Sequence, residues 1–222
     1  MKFAAFETST EWCSVALCSG GEISALEERA GNRHGELVLP MLERLAASAG
    51  FGLQALDAVA FGSGPGSFTG LRIACGVAQG IAFALGLPVI GVSTLAALAE
   101  ESGAARVVAC LDARMHEVYY SALERRGSDW HELIPAQCVS PAIAPVPPGE
   151  GWAACGNGFS AYQSLFKGRF PVMRPEIHPS ALAVARLAAP RLAAGEGVDA
   201  ALAAPAYLRD KVAMTTEERL AR

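Results

Sequence analysis

The sequence predicts an α/β protein of two lobes, each a mixed sheet of about five strands flanked by helices. Three observations point there. Residues 1–103 alternate in the order βββαβαβα, with strand-like and helix-like apolar periods following one another cleanly. Residues 104–222 open with three more strands, so the second half repeats the start of the first, as an internal duplication does. Strands joined by tight turns pair antiparallel, whereas strands joined through helices pair parallel, so each sheet must mix the two.

The elements follow from local patterns. Residues 2–6 form a short apolar strand. Residues 12–18 place Cys13, Val15 and Leu17 on one face, a period of two. Gly20-Gly21 turns the chain into a third, more polar strand at 22–29. Leu37, Met41 and Leu45 then recur every four residues, with Val38 and Leu42 beside them, and mark a helix. Pro40 fits a first helical turn, so that helix is expected to begin near Glu36 or Leu37, and Gly50 and Gly52 end it. A buried strand at 57–61 leads through a glycine-rich turn to a helix at 69–85. A strand at 88–92 and a helix at 94–101 complete the first lobe. In the second half, 106–111, 117–123 and 130–139 read as strands. Four prolines make 141–151 a loop, and 152–155 is a strand ending in Gly156-Asn157-Gly158. Residues 160–166 and 180–194 read as helices, the latter interrupted by Pro190.

Composition narrows the class. The chain has 222 residues and a formal charge of -4, and 52% of it is hydrophobic. Alanine supplies 43 residues, and without it the apolar fraction is nearer a third, which is ordinary for a globular chain. Disorder, collagen and coiled coil are excluded. The mild acidity argues against a protein that holds nucleic acid unaided, and the only adjacent arginines are Arg125-Arg126. No membrane-spanning helix is expected. Glu7 interrupts the first apolar run too early for a signal peptide. The six cysteines form no C-x-x-C and stand among apolar residues, as buried thiols of a reducing cytoplasm do.

Several segments carry residues suited to chemistry. Glu7-Thr8-Ser9-Thr10 sits between two strands, where hydroxyls and free amides cradle phosphate and a carboxylate holds a magnesium-bound water; a polar hairpin turn has the same composition. Residues 62–70, with Gly64 and Gly66, lie between a strand and a helix, where amides meet an anion, or where a tight turn packs helix on sheet. They form neither a lysine-bearing phosphate loop nor a clean dinucleotide fingerprint. Asp112 and Glu117 flank a turn in which His116 would serve as a general base; a plain polar turn with a surface ion pair is the simpler reading. His34 lacks a second histidine at metal-ligand spacing and reads as a helix-start residue. Gly156-Asn157-Gly158 suits a nucleotide-side turn as well as an ordinary one. The helix over 69–86 carries glycine or alanine at 70, 74, 76, 78, 80, 82 and 84, which permits close approach by another helix.

The segments ETSTEWCSVAL (7–17), RHGELVLPML (33–42), GSGPGSFTGLRIACGVAQGIA (62–82), LPVIGVSTLAAL (87–98), LDARMHEVYY (111–120), GNG (156–158) and PAYLRDKVA (205–213) together resemble the TsaB family of bacterial tRNA threonylcarbamoyladenosine biosynthesis proteins. The resemblance runs over nearly the whole chain. It implies the actin-like ATPase fold of two ribonuclease-H-like lobes, here 1–103 and 104–222. The catalytic paralogue of that family, TsaD, transfers a threonylcarbamoyl group to adenosine 37 of tRNA and binds metal through H-x-x-x-H. The equivalent positions here are Thr94 and Leu98, which cannot replace two imidazoles. Glu7 stands where many members have Asp. The resemblance therefore implies a cytoplasmic, metal-free, non-catalytic scaffold. It would bind a TsaD-type paralogue, form a homodimer when alone, accept a TsaE-type small ATPase, and meet tRNA only through the complex. The expected interface residues are Leu37, Val38, Met41, Leu42, Leu45, Ile73, Val77 and Ile81, some of which must face the sheet. Met41→Asp or Val77→Asp is expected to break association and spare the fold. Thr8, Ser9, Thr10, Gly64, Gly66, Asp112, Gly156 and Gly158 would be remnants of a nucleotide site, leaving weak or shared ATP/ADP binding at the partner interface. The alternative is a phosphotransferase or ATPase of the same fold; a metallopeptidase is a distant third.

Overall fold

The computed structural model describes residues 1–209, and every structural statement below refers to them. Two five-stranded sheets have the same topology. In the first, β1 (Lys2–Glu7), β2 (Trp12–Ser19), β3 (Glu22–Arg29), β4 (Ala58–Gly64) and β5 (Val89–Ser93) lie in the order β3-β2-β1-β4-β5. In the second, β6 (Arg106–Arg114), β7 (Glu117–Arg126), β8 (Asp129–Val139), β9 (Ala153–Cys155) and β10 (Val172–Arg174) lie in the order β10-β9-β6-β7-β8. The strand roles match one for one. In each lobe a three-strand antiparallel meander is extended by two parallel strands.

The helices are α1 (His34–Ala49), α2 (Phe68–Leu85), α3 (Thr94–Glu101), α4 (Gly158–Ala161), α5 (Gln163–Phe166) and α6 (Ala181–Ala193). One face of the first sheet, with Ala4, Phe6, Val15, Val59 and Phe61, is covered by α1 and α2. The other, with Phe3, Ala5, Ala58, Ala60 and Ile90, is covered by the alanine-rich α6. Residues 104 onward were expected in the second lobe, but α6 returns to the first sheet. Its cap shows the docking: Ser180 Oγ accepts from Ala183 N, and Ser14 Oγ of β2 accepts from Ala181 N at 2.9 Å. Helix α3 lies between the sheets, with Leu95, Leu98 and Ala99 against Val107, Ala109 and Leu123 of the second. The outer face of that sheet is covered by Trp152, Phe159, Phe166 and Phe170.

Helix α1 starts two residues earlier than its proline suggests. The Glu36 and Leu37 amides both donate to Arg33 O, so the first turn closes before Pro40 is reached. Pro40 lies on the exposed side, where the acceptor left without its amide partner meets water. The stretch expected as one helix at 160–166 is two single turns, broken at Tyr162 (φ -127°). Strand β10 was not expected; three residues carry too little period to be read.

Candidate functional site

The C-terminal ends of β1 and β6 face one cleft between the lobes, with a volume of about 750 Å³. Ser9, Thr10, Gly66, Ser67 and Thr69 line it from the first lobe, and Asp112, Arg114, Tyr119 and Asn157 from the second. Sequence-predicted residues thus converge, but most are engaged within the protein. Thr8 donates its hydroxyl to Gly70 O at 2.7 Å, and Thr10 Oγ1 accepts from Trp12 N at 3.3 Å. Ser9 Oγ is buried with no hydrogen-bond partner among the described residues. Asp112 Oδ1 accepts from Arg114 N (2.9 Å) and from the Tyr162 hydroxyl (3.1 Å), while Asn157 Oδ1 accepts from Asp112 N (2.9 Å). The Asp112–Arg114 ion pair is exposed on its arginine side and is worth under about 1 kcal/mol.

The glycines answer to packing. A Cβ at Gly70 would stand 1.8 Å from Thr8 O, and one at Gly66 would stand 2.5 Å from Ser9 Cβ. In the second lobe a Cβ at Gly156 (φ +112°) would stand 2.2 Å from Cys110 O, and one at Gly158 2.5 Å from Cys110 Sγ. Gly64 (φ +117°) lets Ala206 O approach, at 2.7 Å from its absent Cβ. The first glycine turn therefore presses against Thr8 and Ser9 just past β1, and the second against Cys110 in the middle of β6.

Glu7 does not line the cleft. It is buried, its Oε1 accepts from Ser9 N at 2.7 Å, and its Oε2 lies 3.4 Å from Thr94 Oγ1. Burial pushes its carboxyl above the usual 4.5, against the pull of those hydrogen bonds. A Cβ at Gly62 would stand 1.9 Å from Oε2, so only glycine leaves room for the acid. Thr94 and Leu98 are also buried; Thr94 Oγ1 accepts from Gly64 N, and Leu98 packs in the interlobe core. Among the described residues no three His, Cys, Asp or Glu side chains gather as metal ligands. His34 opens α1 with Nε2 2.9 Å from Thr10 O, and His116 lies exposed in a left-handed turn. Five cysteines are buried and Cys138 is half-buried; burial pushes Cys13 and Cys155 up to about 11, where a thiol is inert.

The second feature is the outer face of α2. Thr69, Ile73, Gly76, Val77, Gly80 and Phe83 follow one helical stripe, and Phe83 is 81% exposed. No neighbour lies within 4 Å of a Cβ built on Gly76 or Gly80. Helix α2 is long and apolar enough to cross a membrane, contrary to the expectation above, because Arg72 is its single charge. Its opposite face is buried, with Ala74, Cys75, Ala78 and Ala82 in the first lobe's core and Leu71 buried beside Gly64. Of the expected interface residues, Ile73, Val77 and Ile81 of α2 and Leu37 of α1 are half-buried, packed in part against the first lobe's core. Val38, Met41, Leu42 and Leu45 are buried against the sheet, so Met41→Asp would attack the fold itself. Phe83 and Leu39 (44% exposed) were missed, although the spacing 69, 73, 76, 80, 83 was legible.

Duplicated sheets of one topology around a cleft define a two-lobed α/β protein of the actin-like class. Residues 26–217 match the family model described as TsaD, tRNA N6-adenosine threonylcarbamoyltransferase. The tRNA threonylcarbamoyladenosine biosynthesis protein TsaB of Escherichia coli K12 is 38% identical, over 96% of each chain. That of Haemophilus influenzae Rd is 40% identical, over 94% of this chain and 93% of its own. The solved structure of YeaZ from Pseudomonas aeruginosa superposes with a TM-score of 0.89 at 40% identity, covering 93% of this chain and 99% of that one. The chain belongs to the TsaB family.

Proposed function

We propose that this protein is the non-catalytic scaffold and activating subunit of a cytoplasmic tRNA threonylcarbamoyladenosine complex, docking on a TsaD-type paralogue through the outer face of α2. The observation that carries this reading is the pair of open glycines in that face. An interior glycine costs a helix about 1 kcal/mol relative to alanine. Gly76 and Gly80 gain no contact for it among the described residues, and close approach of a second helix is what a glycine-lined apolar stripe offers. Alone, the same face would pair with a second copy. A TsaE-type ATPase and tRNA would join through the assembled complex. The internal hydrogen bonds of Thr8 and Thr10 and the Thr94/Leu98 pair support a role without chemistry of its own.

Light scattering on this chain mixed with the paralogue, against each alone, tests the reading. A stable mixed complex that Phe83→Glu and Val77→Asp abolish is the expected result. A chain that ignores the paralogue, or variants that bind at wild-type affinity, would overturn it. The cleft favours one second reading, nucleotide binding by the isolated chain, as in a phosphotransferase or ATPase. Titration with magnesium-ATP decides it: millimolar affinity or none sinks an enzyme, and micromolar binding abolished by Thr10→Ala supports one.

A further inference from the structure

After α6 the chain runs back over α2 and crosses the mouth of the cleft. Gln79 Nε2 donates to Ala203 O at 3.0 Å, and Ala206 N donates to Ser63 O at 2.7 Å. Tyr207 packs its ring against Phe68 at the start of α2, with centroids 5.7 Å apart, and its hydroxyl accepts from Arg72 Nε at 3.2 Å. Two residues later the chain is held by the other lobe. Arg209 donates to Ala113 O at 2.9 Å and Arg114 O at 3.4 Å, and pairs with Glu117. Its side chain is only 13% exposed, so the guanidinium is a desolvated, multiply bonded anchor rather than a surface ion pair.

What Arg209 grips is unusual. Arg114, Met115 and His116 have φ of 61°, 53° and 62°, three successive non-glycine residues in the left-handed region. Each such residue is uncommon, and a run persists only where its surroundings over-determine it. Carbonyls on either side of the turn's start point at one guanidinium, which supplies that constraint from a distant part of the chain.

We propose that residues 203–209 are a latch between the lobes: fixed along α2 and pinned by Arg209 to the β6–β7 turn, the segment sets the opening of the cleft and ties it to the start of α2. Movement of either lobe must then stretch this strap, so the turn at 112–117 and the glycine turn at 64–71 respond together.

Hydrogen exchange on the full chain, read by mass spectrometry, tests this. Arg209→Ala is expected to raise exchange about tenfold or more both in 112–117 and, across the cleft, in 64–71, with β1 and α6 unchanged. Faster exchange confined to 112–117 means a local contact only and would overturn the latch. Should Arg209→Ala fail to fold, Tyr207→Phe decides. It loses only the hydroxyl bonded to Arg72 in the first lobe, yet must speed exchange in 112–117 of the second. Silence there refutes the proposal.

Discussion

The two lobes share a sheet but not a cover. In the first, the connections β3–β4 and β4–β5 contain helices of 16 and 18 residues. In the second, the equivalent connections are a proline-rich loop and two helices of four residues each. Strand pairing is retained because every strand's backbone needs its neighbours. The covering layer is free to change if the apolar face stays buried. The second lobe manages this with a cluster of Phe159, Phe166 and Phe170 at edge-on and tilted angles. Compact aromatics leave little over. Long alanine- and glycine-rich helices cover one face with half their circumference and leave the other half bare. Among the described residues only the first lobe therefore offers an extended apolar helix face, which is why the proposed docking surface lies there.

The strongest way to break this comparison is at what the lobes have in common. If both glycine turns are packing devices, Gly70→Ala and Gly156→Ala should be equally ruinous. Each places a Cβ against a backbone carbonyl that cannot retreat, and Gly156 adds a left-handed backbone. Each is expected to cost about 3 kcal/mol or more by chemical denaturation. A well-folded Gly156→Ala variant would mean that the second turn is looser than the first.

The next contrast lies within the first lobe. Met41 faces the sheet and Phe83 faces out. Met41→Ala is expected to lose about 2–5 kcal/mol of stability. Phe83→Ala should stay within about 0.5 kcal/mol, and its effect should be on association. Equal effects on stability would show that the bare face of α2 is covered within the protomer.

These residues also show what the sequence could and could not tell. The order βββαβαβα, the duplicated start and the bounds of α3 were legible because apolar period and turn residues are local signals. The two faces of α1 were not, because Leu37, Val38, Met41 and Leu42 surround half the helix, and only the sheet decides which half is inside. The return of α6 was invisible for the same reason: its alanines would suit either sheet. Likewise, glycines that cradle phosphate and glycines that admit a strand end look alike until the opposing atom is known. The motif at 205–213 extends past the described residues, and its legible part, Arg209, acts at a partner 92 residues away in sequence.

Glu7 sharpens the comparison at the strand ends, since its counterpart Asp112 is half-exposed. Its folded pKa is raised, so its protonated form suits the fold. That contribution is full below about pH 4.5, its unfolded value, and is lost as pH rises through the folded one. Glu7→Gln should therefore gain on the wild type as pH rises from 4 to 7, read as denaturation midpoints at both. A gain that does not grow with pH would mean that the acid is not the strained group.

The smallest effect is expected where the chain passes from one lobe to the other. His178, between β10 and α6, stacks on Trp12 of β2 with centroids 4.5 Å apart and planes 6° from parallel, and its Nε2 lies 2.9 Å from Glu27 Oε1. Partial burial lowers its pKa, but the hydrogen bonds to Glu27 and to the Glu176 carbonyl, with the charges of Glu27 and Glu101, reverse this and leave it above 6.5. A raised histidine stabilises most below the unfolded value, so its contribution is full below about pH 6.5 and fades as pH rises through the folded pKa. His178→Ala is expected to cost about 1 kcal/mol at pH 6 and less at pH 8, because the stack remains when the charge is gone. Trp12 fluorescence gives a second readout, since a charged imidazole on the indole face quenches it and a neutral one does so less. A pH-independent cost would assign the contact to stacking alone and leave Glu27 no part in joining the lobes.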